Sequence, residues 1–344
     1  MESDGRVVVI TGASAGVGRA IAHRFAREAA RIGLIARDAD ALDLVAGEVS
    51  EHGGKALVLP ADVADSEALF SAAEEVRRTW GGVDVWVNDA MTTVFSPLWE
   101  IEPEEFRRVT EVDYLGFVWG TMAALRLMRP AGHGTIIQVG SALAYRGIPQ
   151  QSAYCGAKHA IRGFTDSLRT ELLHERSKVR LSIVELPAMN TPQFDWARTH
   201  MKRTPRPMGE IFEPEAAAEA VWLASRAPLR EYWLGRTTLL TILGNLVLPS
   251  FLDRFLAKSA WEGQETPQPA LPDRPDNLFA PVRGLHRTRG AFSLEAQRSA
   301  IALPGPAVRL GVISLGAAAA FALGLLAGTA RTALRLKNAR RRRA

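Results

Sequence analysis

Short runs of apolar, often β-branched residues alternate with longer amphipathic stretches along the first two-thirds of the chain. The short runs lie at 6–10, 32–36, 55–59, 83–87, 134–140, 179–186 and 231–235. Helix-length segments lie between or after them at 16–30, 66–80, 104–128, 151–174 and 214–227. Apolar runs of this length are typical of strands that are buried on both faces of a parallel sheet. The pattern therefore predicts an α/β fold, with a doubly wound parallel sheet and helices on both faces.

The alternation ends near residue 236, so we predict one α/β domain over residues 1–236. An apolar segment of mixed pattern follows at 237–261. Residues 262–306 contain seven of the 19 prolines and many charges, which predicts an extended linker. We assign 307–330 to a transmembrane or membrane-associated helix and 331–344 to a basic tail.

The net charge of +5 belongs to the end of the chain and not to its body. Residues 331–344 contain seven Lys or Arg and no acid, which leaves 35 basic against 37 acidic residues elsewhere. This balance gives no reason to expect nucleic-acid binding by the globular part. The single cysteine, Cys155, excludes an internal disulfide and fits a reducing compartment.

A glycine-rich stretch separates the first predicted strand from the first predicted helix. It contains Thr11-Gly12, Gly16 and Gly18. Glycines permit a tight turn and a close backbone approach to phosphate, and a helix N-terminus offers free N–H groups and partial positive charge. In this position the stretch predicts a dinucleotide-binding loop. The alternative is a glycine-rich turn with a purely structural role.

The end of the second predicted strand bears on the choice of cofactor. An acidic residue there would accept the ribose hydroxyls of NAD(H), but this chain has Ala36 followed by Arg37. An arginine suits a 2′-phosphate, because its guanidinium forms forked, charge-assisted hydrogen bonds. We therefore expect NADP(H) to be preferred over NAD(H). The alternative is a surface arginine that caps the next helix. Asp62 and Val63, after the third strand, are expected near the adenine.

A set of motifs occurs in one order along the chain. The motifs are T-G-A-S-A-G-V-G at 11–18, D-V at 62–63, N-D-A at 88–90, Ser141, Y-C-G-A-K at 154–158 and P-A-M-N-T at 187–191. In this combination, and with Ser141 thirteen residues before Tyr154, residues 5–236 resemble the short-chain dehydrogenase/reductase family. The resemblance implies a Rossmann-type fold and hydride transfer between a nicotinamide and an alcohol or carbonyl.

The resemblance also implies roles for individual residues. Tyr154 would be the acid for reduction and the base for oxidation, Ser141 would hold the substrate oxygen, and Lys158 would also hold the nicotinamide ribose. The residues expected at the cofactor are Thr11, Gly12, Ser14, Gly16, Val17, Gly18, Arg37, Asp62, Val63, Asn88, Ala90, Tyr154, Lys158, Pro187, Met189 and Thr191. A free tyrosine has a pKa of about 10, too high for a base near neutral pH. We expect the neighbouring Lys158 ammonium to lower the pKa of Tyr154. The alternative is that the two residues simply share an ordinary helix face.

Two positions depart from the family pattern. Met91 takes the place of a glycine after N-D-A, which alters the loop beside the cofactor. Asp113 replaces the asparagine that, in the family, helps to hold a water joined to the lysine. The Asp113 backbone can keep that contact, while its carboxylate can pair with Lys158 and weaken the effect of the lysine on Tyr154. We count Asp113 with the catalytic group and expect activity to survive the change.

The substrate side of the site is less specific in sequence. Phe194, Trp196, Met201 and Met208 are expected to line an apolar pocket, or in part only to pack a lid onto the body. This suggests a lipophilic alcohol or a ketone or aldehyde as the substrate. The seven histidines show no metal-ligand spacing, so no metal is expected. Family members often pair through the helices at 104–128 and 151–174, which implies a homodimer or homotetramer.

Residues 310–330 form a run of 21 residues without a charge. As a helix this run would be about 32 Å long, enough to cross a hydrocarbon core. Small residues at 316, 320, 324 and 328 would permit close packing of two such helices. The alternative is a soluble, alanine-rich helix docked on the body.

Topology limits how such a helix could be placed. A single crossing would separate the basic tail, which prefers the cytoplasmic side, from a catalytic body that needs the cytoplasmic cofactor pool. The alternatives are that the run lies shallow in the interface, or that 237–256 also enters it, with the tail at anionic lipid headgroups in each case. We expect a membrane-associated protein whose catalytic domain is cytoplasmic.

Three functional hypotheses follow from these patterns. The main one is a membrane-associated NADP(H)-dependent oxidoreductase that interconverts an alcohol and a carbonyl. The second, motivated by Met91 and Asp113, is a non-catalytic NADP-binding sensor or scaffold at a membrane. The third is a wholly soluble reductase whose C-terminal tail has no membrane role.

Overall fold

The computed structural model describes residues 5–271, 273–317 and 321. The strands are β1 (Val7–Thr11), β2 (Arg31–Ala36), β3 (Lys55–Pro60), β4 (Val85–Asn88), β5 (Val94–Phe95), β6 (Thr135–Ser141), β7 (Arg180–Leu186), β8 (Ala188–Met189), β9 (Arg198–Thr199), β10 (Arg203–Pro205), β11 (Ile211–Phe212), β12 (Glu231–Leu234), β13 (Glu265–Pro269) and β14 (Ala302–Pro304). The α-helices are α1 (Gly16–Ala26), α2 (Ala39–Glu51), α3 (Ser66–Trp80), α4 (Pro103–Thr110), α5 (Gly116–Ala131), α6 (Ser152–His174), α7 (Gln193–Trp196), α8 (Pro214–Arg226), α9 (Gly235–Val247) and α10 (Pro249–Gly263).

The main sheet has eight strands in the order β14-β12-β7-β6-β4-β1-β2-β3 among the described residues. Neighbouring strands are parallel from β12 to β3, and only β14 runs antiparallel, beside β12. The chain builds outward from β1 to β3 and then returns to place β4 on the other side of β1. The carboxyl ends of β1 and β4 therefore mark the switch point where such sheets bind ligands. The Rossmann-type α/β fold expected from the sequence is confirmed.

Each face of the sheet is covered by helices, because successive strand residues point to opposite faces. Val8 belongs to a buried cluster with α1, α2 and α8, which includes Phe25 and Val221. Val9 belongs to a second cluster with α3, α5 and the end of α6, which includes Trp86 and Leu172. Burial on both faces explains why the strands are apolar without alternation.

The segment predicted as one helix over 104–128 consists of three pieces. α4 is followed by a π-helical turn, Glu111–Leu115, and then by α5. The chain also comes close to the loop after β3 here, since a Cβ on Gly116 would lie 2.8 Å from a Val63 methyl. π-helical turns are rare and often lie at functional sites, and this one contains Asp113.

The C-terminal segment packs against the body. The apolar stretch 237–261 lies in the helices α9 and α10. The segment 262–306, for which the sequence predicts an extended linker, has little regular structure, but β13 pairs with β10 and β14 completes the main sheet. Its prolines limit helix formation, while its backbone remains able to accept hydrogen bonds from the body.

A helix over residues 305–317 follows β14. The predicted membrane-associated run 310–330 overlaps its end, while residues 318–320 and 322–330, like the basic tail at 331–344, lie outside the described residues. Among the helices that are described, none has the length and apolar character needed to cross a membrane.

Candidate functional site

A cleft of about 640 Å³ opens at the carboxyl ends of the parallel strands. Its volume falls in the range of small-molecule sites, roughly 300–1,000 Å³. Most residues that the sequence assigns to cofactor or catalysis line it together. These are Gly12, Ser14, Gly16, Val17, Arg37, Asp62, Val63, Ala90, Ser141, Tyr154, Lys158, Pro187, Met189 and Thr191.

The glycine-rich turn between β1 and α1 is held against the loop after β4. Gly12 has φ +73°, and a Cβ there would lie 2.8 Å from the Cα of Ala90. A Cβ on Gly18 would lie 2.3 Å from the carbonyl oxygen of Gly12. The N-cap residue of α1, Ala15, has no side chain that could cap the helix start. Glycines that allow a close backbone approach, followed by a helix start without a side-chain cap from Ala15, fit the pyrophosphate of a dinucleotide.

Arg37 follows the last residue of β2 and lines the cleft. Its Nη2 donates to the carbonyl oxygen of Asn277 at 2.5 Å, and its Nη1 donates to that of Leu278 at 3.4 Å. Arg37 does not cap the next helix, which was the alternative. The N-cap residue of α2 is Asp38, whose carboxylate accepts the backbone N–H of Ala41 at 3.2 Å. Asp62 forms an ion pair with Arg108 at the same end of the cleft.

Four predicted residues stand behind the cleft and do not line it. Thr11 Oγ1 accepts the backbone N–H groups of Asp89 and Ala90 at 3.0 and 3.2 Å. Gly18 provides the close packing of α1 on the turn. Asn88 is fully buried, and its Nδ2 donates to Gln138 at 2.9 Å and to Thr121 at 3.1 Å. Asn88 therefore fixes β4 to its neighbours. The fourth residue is Asp113.

Asp113 is fully buried in the π-helical turn. Its Oδ1 accepts the backbone N–H of Thr92 at 2.8 Å, so its carboxylate is used to hold the loop after β4. Burial raises the pKa of Asp113 to about 7, although the charge of Lys158 opposes that rise. The predicted pairing of Asp113 with Lys158 therefore takes the form of a charge interaction between two buried groups.

Ser141, Tyr154 and Lys158 meet at the centre of the cleft. Ser141 ends β6, and its Oγ accepts the backbone N–H of Leu143 at 3.1 Å. Its hydroxyl also acts on the neighbouring Tyr154 phenol by lowering the pKa of that group. Tyr154 and Lys158 lie one turn apart on α6. Lys158 Nζ donates to the carbonyl oxygen of Val139 at 2.9 Å and lies 5.5 Å from the centre of the Tyr154 ring. Hydroxyl, phenol and ammonium are thus within one small region of the cleft.

The expected lowering of the Tyr154 pKa is not found in this structure. Burial raises the pKa of Tyr154 above its ordinary value, and the charge of Asp113 adds to the rise, while the Ser141 hydrogen bond opposes it. Burial also lowers the pKa of Lys158. The expected lowering rested on nearby positive charge and left out the desolvation of the phenol, which is the larger effect here.

Further buried carboxyl groups surround the lysine and were not identified as site residues from the sequence. Burial raises the pKa of Asp89, although Lys158 opposes the rise. Burial also raises the pKa of Glu185 to about 8. Both residues follow or interrupt apolar strand runs, at "VDVWVND" and "SIVEL". An acid within such a run is the signal that could have identified them.

The substrate side of the cleft combines predicted and unexpected residues. Phe194, Trp196 and Met208 line it as predicted. Met201 instead packs with Phe95 and Phe194 in a separate buried cluster. The C-terminal segment adds a wall that the sequence analysis did not foresee. Its cleft-lining residues are Leu240, Thr241, Leu252, Phe255 and Leu256 from α9 and α10, and Asn277, Pro281, Val282 and His286 beyond them.

Comparison with known proteins identifies the family. The family model described as short chain dehydrogenase matches residues 6–202. An uncharacterized oxidoreductase, YxnA of Bacillus subtilis (strain 168), is 32% identical over 285 residues, which cover 82% of this chain and 80% of that protein. The chain belongs to the short-chain dehydrogenase/reductase family. As a member of that family it is an oxidoreductase that uses NAD(P) and acts on CH–OH groups.

Solved structures of this family resemble the chain over its α/β body. A metagenomic short-chain oxidoreductase in complex with NADP is 29% identical, with a TM-score of 0.55, and the match covers 64% of this chain and 91% of that one. An alcohol dehydrogenase from the archaeon Thermococcus sibiricus, complexed with 5-hydroxy-NADP, is 28% identical, with a TM-score of 0.56. That match covers 67% of this chain and 96% of the other. The YxnA alignment is longer than residues 1–236 and so extends into the C-terminal segment.

Proposed function

We propose that this short-chain dehydrogenase/reductase is an NADP(H)-dependent enzyme that interconverts a lipophilic alcohol and its ketone or aldehyde. The observation that carries the proposal is that Ser141, Tyr154 and Lys158 line the same cleft as the glycine-rich turn, with Tyr154 and Lys158 one helical turn apart on α6. A proton donor, an oxygen-binding hydroxyl and a fixed positive charge are the groups that carbonyl reduction requires.

In this mechanism, NADP(H) gives or takes the hydride when it is bound. Tyr154 holds a proton at its phenol oxygen and donates it to the substrate oxygen, or removes it in the reverse direction. Ser141 donates a hydrogen bond to the same oxygen and so fixes its distance from the phenol. The Lys158 ammonium stabilises the phenolate that donation leaves. Its bond to Val139 keeps it in place.

The lipophilic substrate is inferred from the walls of the cleft. Phe194 and Trp196 are themselves largely buried. Leu240, Leu252 and Phe255 add apolar surface from the opposite side. These apolar side chains favour a ligand of low polarity, and the polar groups that also line the cleft can fix the orientation of the reacting oxygen.

The preference for NADP(H) is inferred from Arg37 at the end of β2. Its guanidinium lies in the cleft wall, and the position that would carry an acid in an NAD-selective site is Ala36. Two of the five guanidinium N–H donors meet backbone carbonyl oxygens, which leaves others for a 2′-phosphate. Binding to NADP by the metagenomic relative agrees with this choice.

We also propose that the protein associates with a membrane and keeps its catalytic domain in the cytoplasm. Apolar side chains of α9, α10 and the turn between them are more than half exposed. They are Leu240, Leu246, Val247, Leu248, Phe251 and Phe255. Such a surface, together with the uncharged run 310–330 and the basic tail, suits an anionic lipid surface.

Flotation with anionic and neutral lipid vesicles tests the membrane proposal. The full chain is expected to float with anionic vesicles, and Phe251→Asp should reduce the bound fraction. Leu44→Asp is the matched control, because Leu44 is exposed to a similar degree but lies on α2. Equal flotation of all three proteins, or none, would contradict a lipid role for α9 and α10.

For the oligomer we propose a homodimer or homotetramer that forms through the faces of α4, α5 and α6. Phe106, Met122 and Leu173 are apolar and exposed on these three helices. Sedimentation of the purified protein gives the state directly, and a strictly monomeric protein at micromolar concentration would refute this assignment.

The catalytic proposal is tested by Tyr154→Phe. Loss of a positioned acid–base group is expected to reduce kcat by roughly 10²- to 10⁴-fold, while NADPH binding, measured by fluorescence, persists. Candidate lipophilic ketones and alcohols are screened by NADPH absorbance. Tyr145→Phe is the control, because Tyr145 bonds with Glu231 and Arg309 and does not line the cleft. It should lose thermal stability and keep turnover.

A non-catalytic NADP-binding sensor is the second candidate. The observation that favours it is the pair of buried acids, Asp89 and Asp113, whose charges act on Lys158. A sensor would bind NADPH in the wild type and in Tyr154→Phe alike, with no turnover of any carbonyl compound in either. Turnover in the wild type that the substitution abolishes would exclude this candidate.

A further inference from the structure

Residues 276–293, which we name the strap, cross the mouth of the dinucleotide cleft. The strap comes from the segment after α10 and β13, far from the family's motifs in sequence. Four of its residues line the cleft: Asn277, Pro281, Val282 and His286. The cavity of about 640 Å³ therefore has two walls, one made by the strand-end loops and one by the strap.

The strap is joined to the cofactor-binding elements mainly through its backbone. The N–H of Gly16, in the glycine-rich turn, donates to the carbonyl oxygen of Arg287 at 3.0 Å. Arg19 Nη1 donates to that of His286 at 3.1 Å. Arg37 donates to the carbonyl oxygens of Asn277 and Leu278. The residues that approach the phosphates and the adenosine ribose are thus the same ones that hold the strap.

Side chains fix both ends of the strap to the body. Leu278 is fully buried against Val94, Val109 and Ala153. Asp276 accepts two hydrogen bonds from Arg198, at 2.9 and 3.1 Å. Near the other end, Asn190 Nδ2 donates to Ser293 Oγ at 2.9 Å, and the N–H of Phe292 donates to Asn190 Oδ1 at 2.9 Å.

We propose that the strap is the outer wall of the cofactor site, so that the bound dinucleotide is enclosed and leaves only when the strap detaches. This inference rests on the proposed function and adds to it a binding element and a limit on cofactor exchange. A cavity of about 640 Å³ remains between the strap and the strand-end loops, and the proposal is that the cofactor binds there while the strap stays in place. Binding to the closed form alone stabilises that form by mass action.

Limited proteolysis of the full-length wild-type protein tests the enclosure. Arg283, Arg287 and Arg289 are exposed trypsin sites within the strap. Under conditions in which the strap must open before cleavage, NADPH at about ten times its Kd should slow cleavage there by roughly tenfold. Cleavage at Arg77 and Arg78 on α3, which are also exposed, is the internal control and should not respond in the same way.

Three other outcomes of this experiment overturn the proposal. Faster cleavage of the strap with NADPH would mean that strap and cofactor compete for the same space. Unchanged cleavage, with NADPH binding seen by fluorescence, would mean that the strap does not enclose the cofactor while the oxidoreductase assignment stands. Absence of any NADPH binding would remove both proposals together.

A variant measures the effect of the strap on cofactor release. Leu278→Ala removes the buried side chain that anchors one end of the strap and changes none of the catalytic groups. Because the strap should then detach more often, the NADPH dissociation rate should rise at least tenfold in stopped-flow fluorescence. Leu44→Ala, which changes an exposed leucine on α2, is the control and should leave that rate unchanged. A folded Leu278→Ala protein with the wild-type dissociation rate would contradict the proposal. If that variant does not fold, Asp276→Ala loosens the same end and is judged by the same rate.

Discussion

The two walls of the cleft are built in different ways. The inner wall, at the ends of β1, β2, β4, β6 and β7, depends on the identity of its residues: Gly12 and Gly18 have no room for a side chain, and Tyr154 and Lys158 carry chemistry. The outer wall is the strap, and its bonds to Gly16, Arg19 and Arg37 are accepted by backbone carbonyl oxygens. Many sequences could supply the second kind of wall, while few could supply the first.

This contrast implies that single substitutions should damage the inner wall more than the outer one. A glycine that leaves no room for a Cβ cannot be replaced by a larger residue, and no neighbouring side chain can take over the transfer of a proton. Replacing an exposed side chain of the strap leaves these backbone carbonyl oxygens in place, so it should cost little. The four substitutions below test that ranking, from the largest expected effect to the smallest.

Gly18→Ala should have the largest effect, because its Cβ would lie 2.3 Å from the carbonyl oxygen of Gly12. Backbone on both sides must shift, so we expect a loss of more than about 4 kcal/mol in unfolding free energy and no detectable NADPH binding. Gly156→Ala on α6 is the control, since nothing lies within 4 Å of a Cβ there. It should be neutral or stabilising by up to about 1 kcal/mol. Denaturant unfolding of both proteins measures the difference.

Asp113→Asn tests the buried acid that holds the loop behind the inner wall. The pKa of Asp113 rises from 3.8 to about 7 on folding. Between those values the folded protein keeps a proton that the unfolded chain releases, so this group makes stability fall as pH rises. Asparagine removes that fall and can still accept from Thr92. The variant should gain roughly 2–4 kcal/mol over the wild type at pH 8 and little near pH 4.

Urea unfolding at several pH values measures the Asp113 effect. Thr92, whose N–H donates to Asp113, also donates through its Oγ1 to Asn277 Oδ1 in the strap at 3.2 Å. The loop that Asp113 holds therefore contacts both walls. A gain that is the same at pH 4 and pH 8 would show that the carboxyl does not titrate between them.

Arg37→Ala removes the residue at which the two walls meet. Loss of hydrogen bonds to a charged phosphate is worth roughly 1.5–3 kcal/mol, or about 10- to 150-fold in the Kd for NADPH. Loss of its bonds to Asn277 and Leu278 should affect NADPH and NADH alike. The ratio of the two Kd values therefore isolates the 2′-phosphate. Equal losses for both cofactors would refute the preference for NADP(H).

Asp276→Asn should have the smallest effect on global stability. The Arg198–Asp276 pair is partly exposed, and such pairs contribute about 1 kcal/mol or less. Calorimetry should show a correspondingly small shift in Tm, while trypsin cleavage within the strap becomes faster. Glu175→Gln, which breaks the exposed pair with Arg129 far from the cleft, is the control and should leave strap cleavage unchanged.

The strands and helices of the α/β body were predictable because the apolar pattern of each one is contained in a short stretch of sequence. Apolar runs gave the parallel strands, and α3 and α8 begin at the predicted residues. The break of the 104–128 helix was not predictable, since it comes with a close approach of Gly116 to Val63, which is distant in sequence.

The candidate site was predictable only where residue type is constrained. The sequence shows the glycines of the turn and the set of Ser141, Tyr154 and Lys158. All of them line one cleft except Gly18, which stands behind it. The rise in the pKa of Tyr154 was not predictable, because desolvation depends on packing and not on spacing. The strap gave no signal, because a carbonyl oxygen is present in every residue and no motif marks those that accept hydrogen bonds.

The pairing of β14 with β12 also has a consequence for synthesis of the chain. Until β14 is available, the outer edge of β12 has no neighbour on that side, and an open edge invites pairing with other chains. β14 starts at Ala302, well after β12 ends at Leu234. At translation rates of 5–20 residues per second, roughly 3–14 s separate the two. During that interval the nascent polypeptide carries an unprotected edge, which makes it a natural client for a ribosome-associated chaperone.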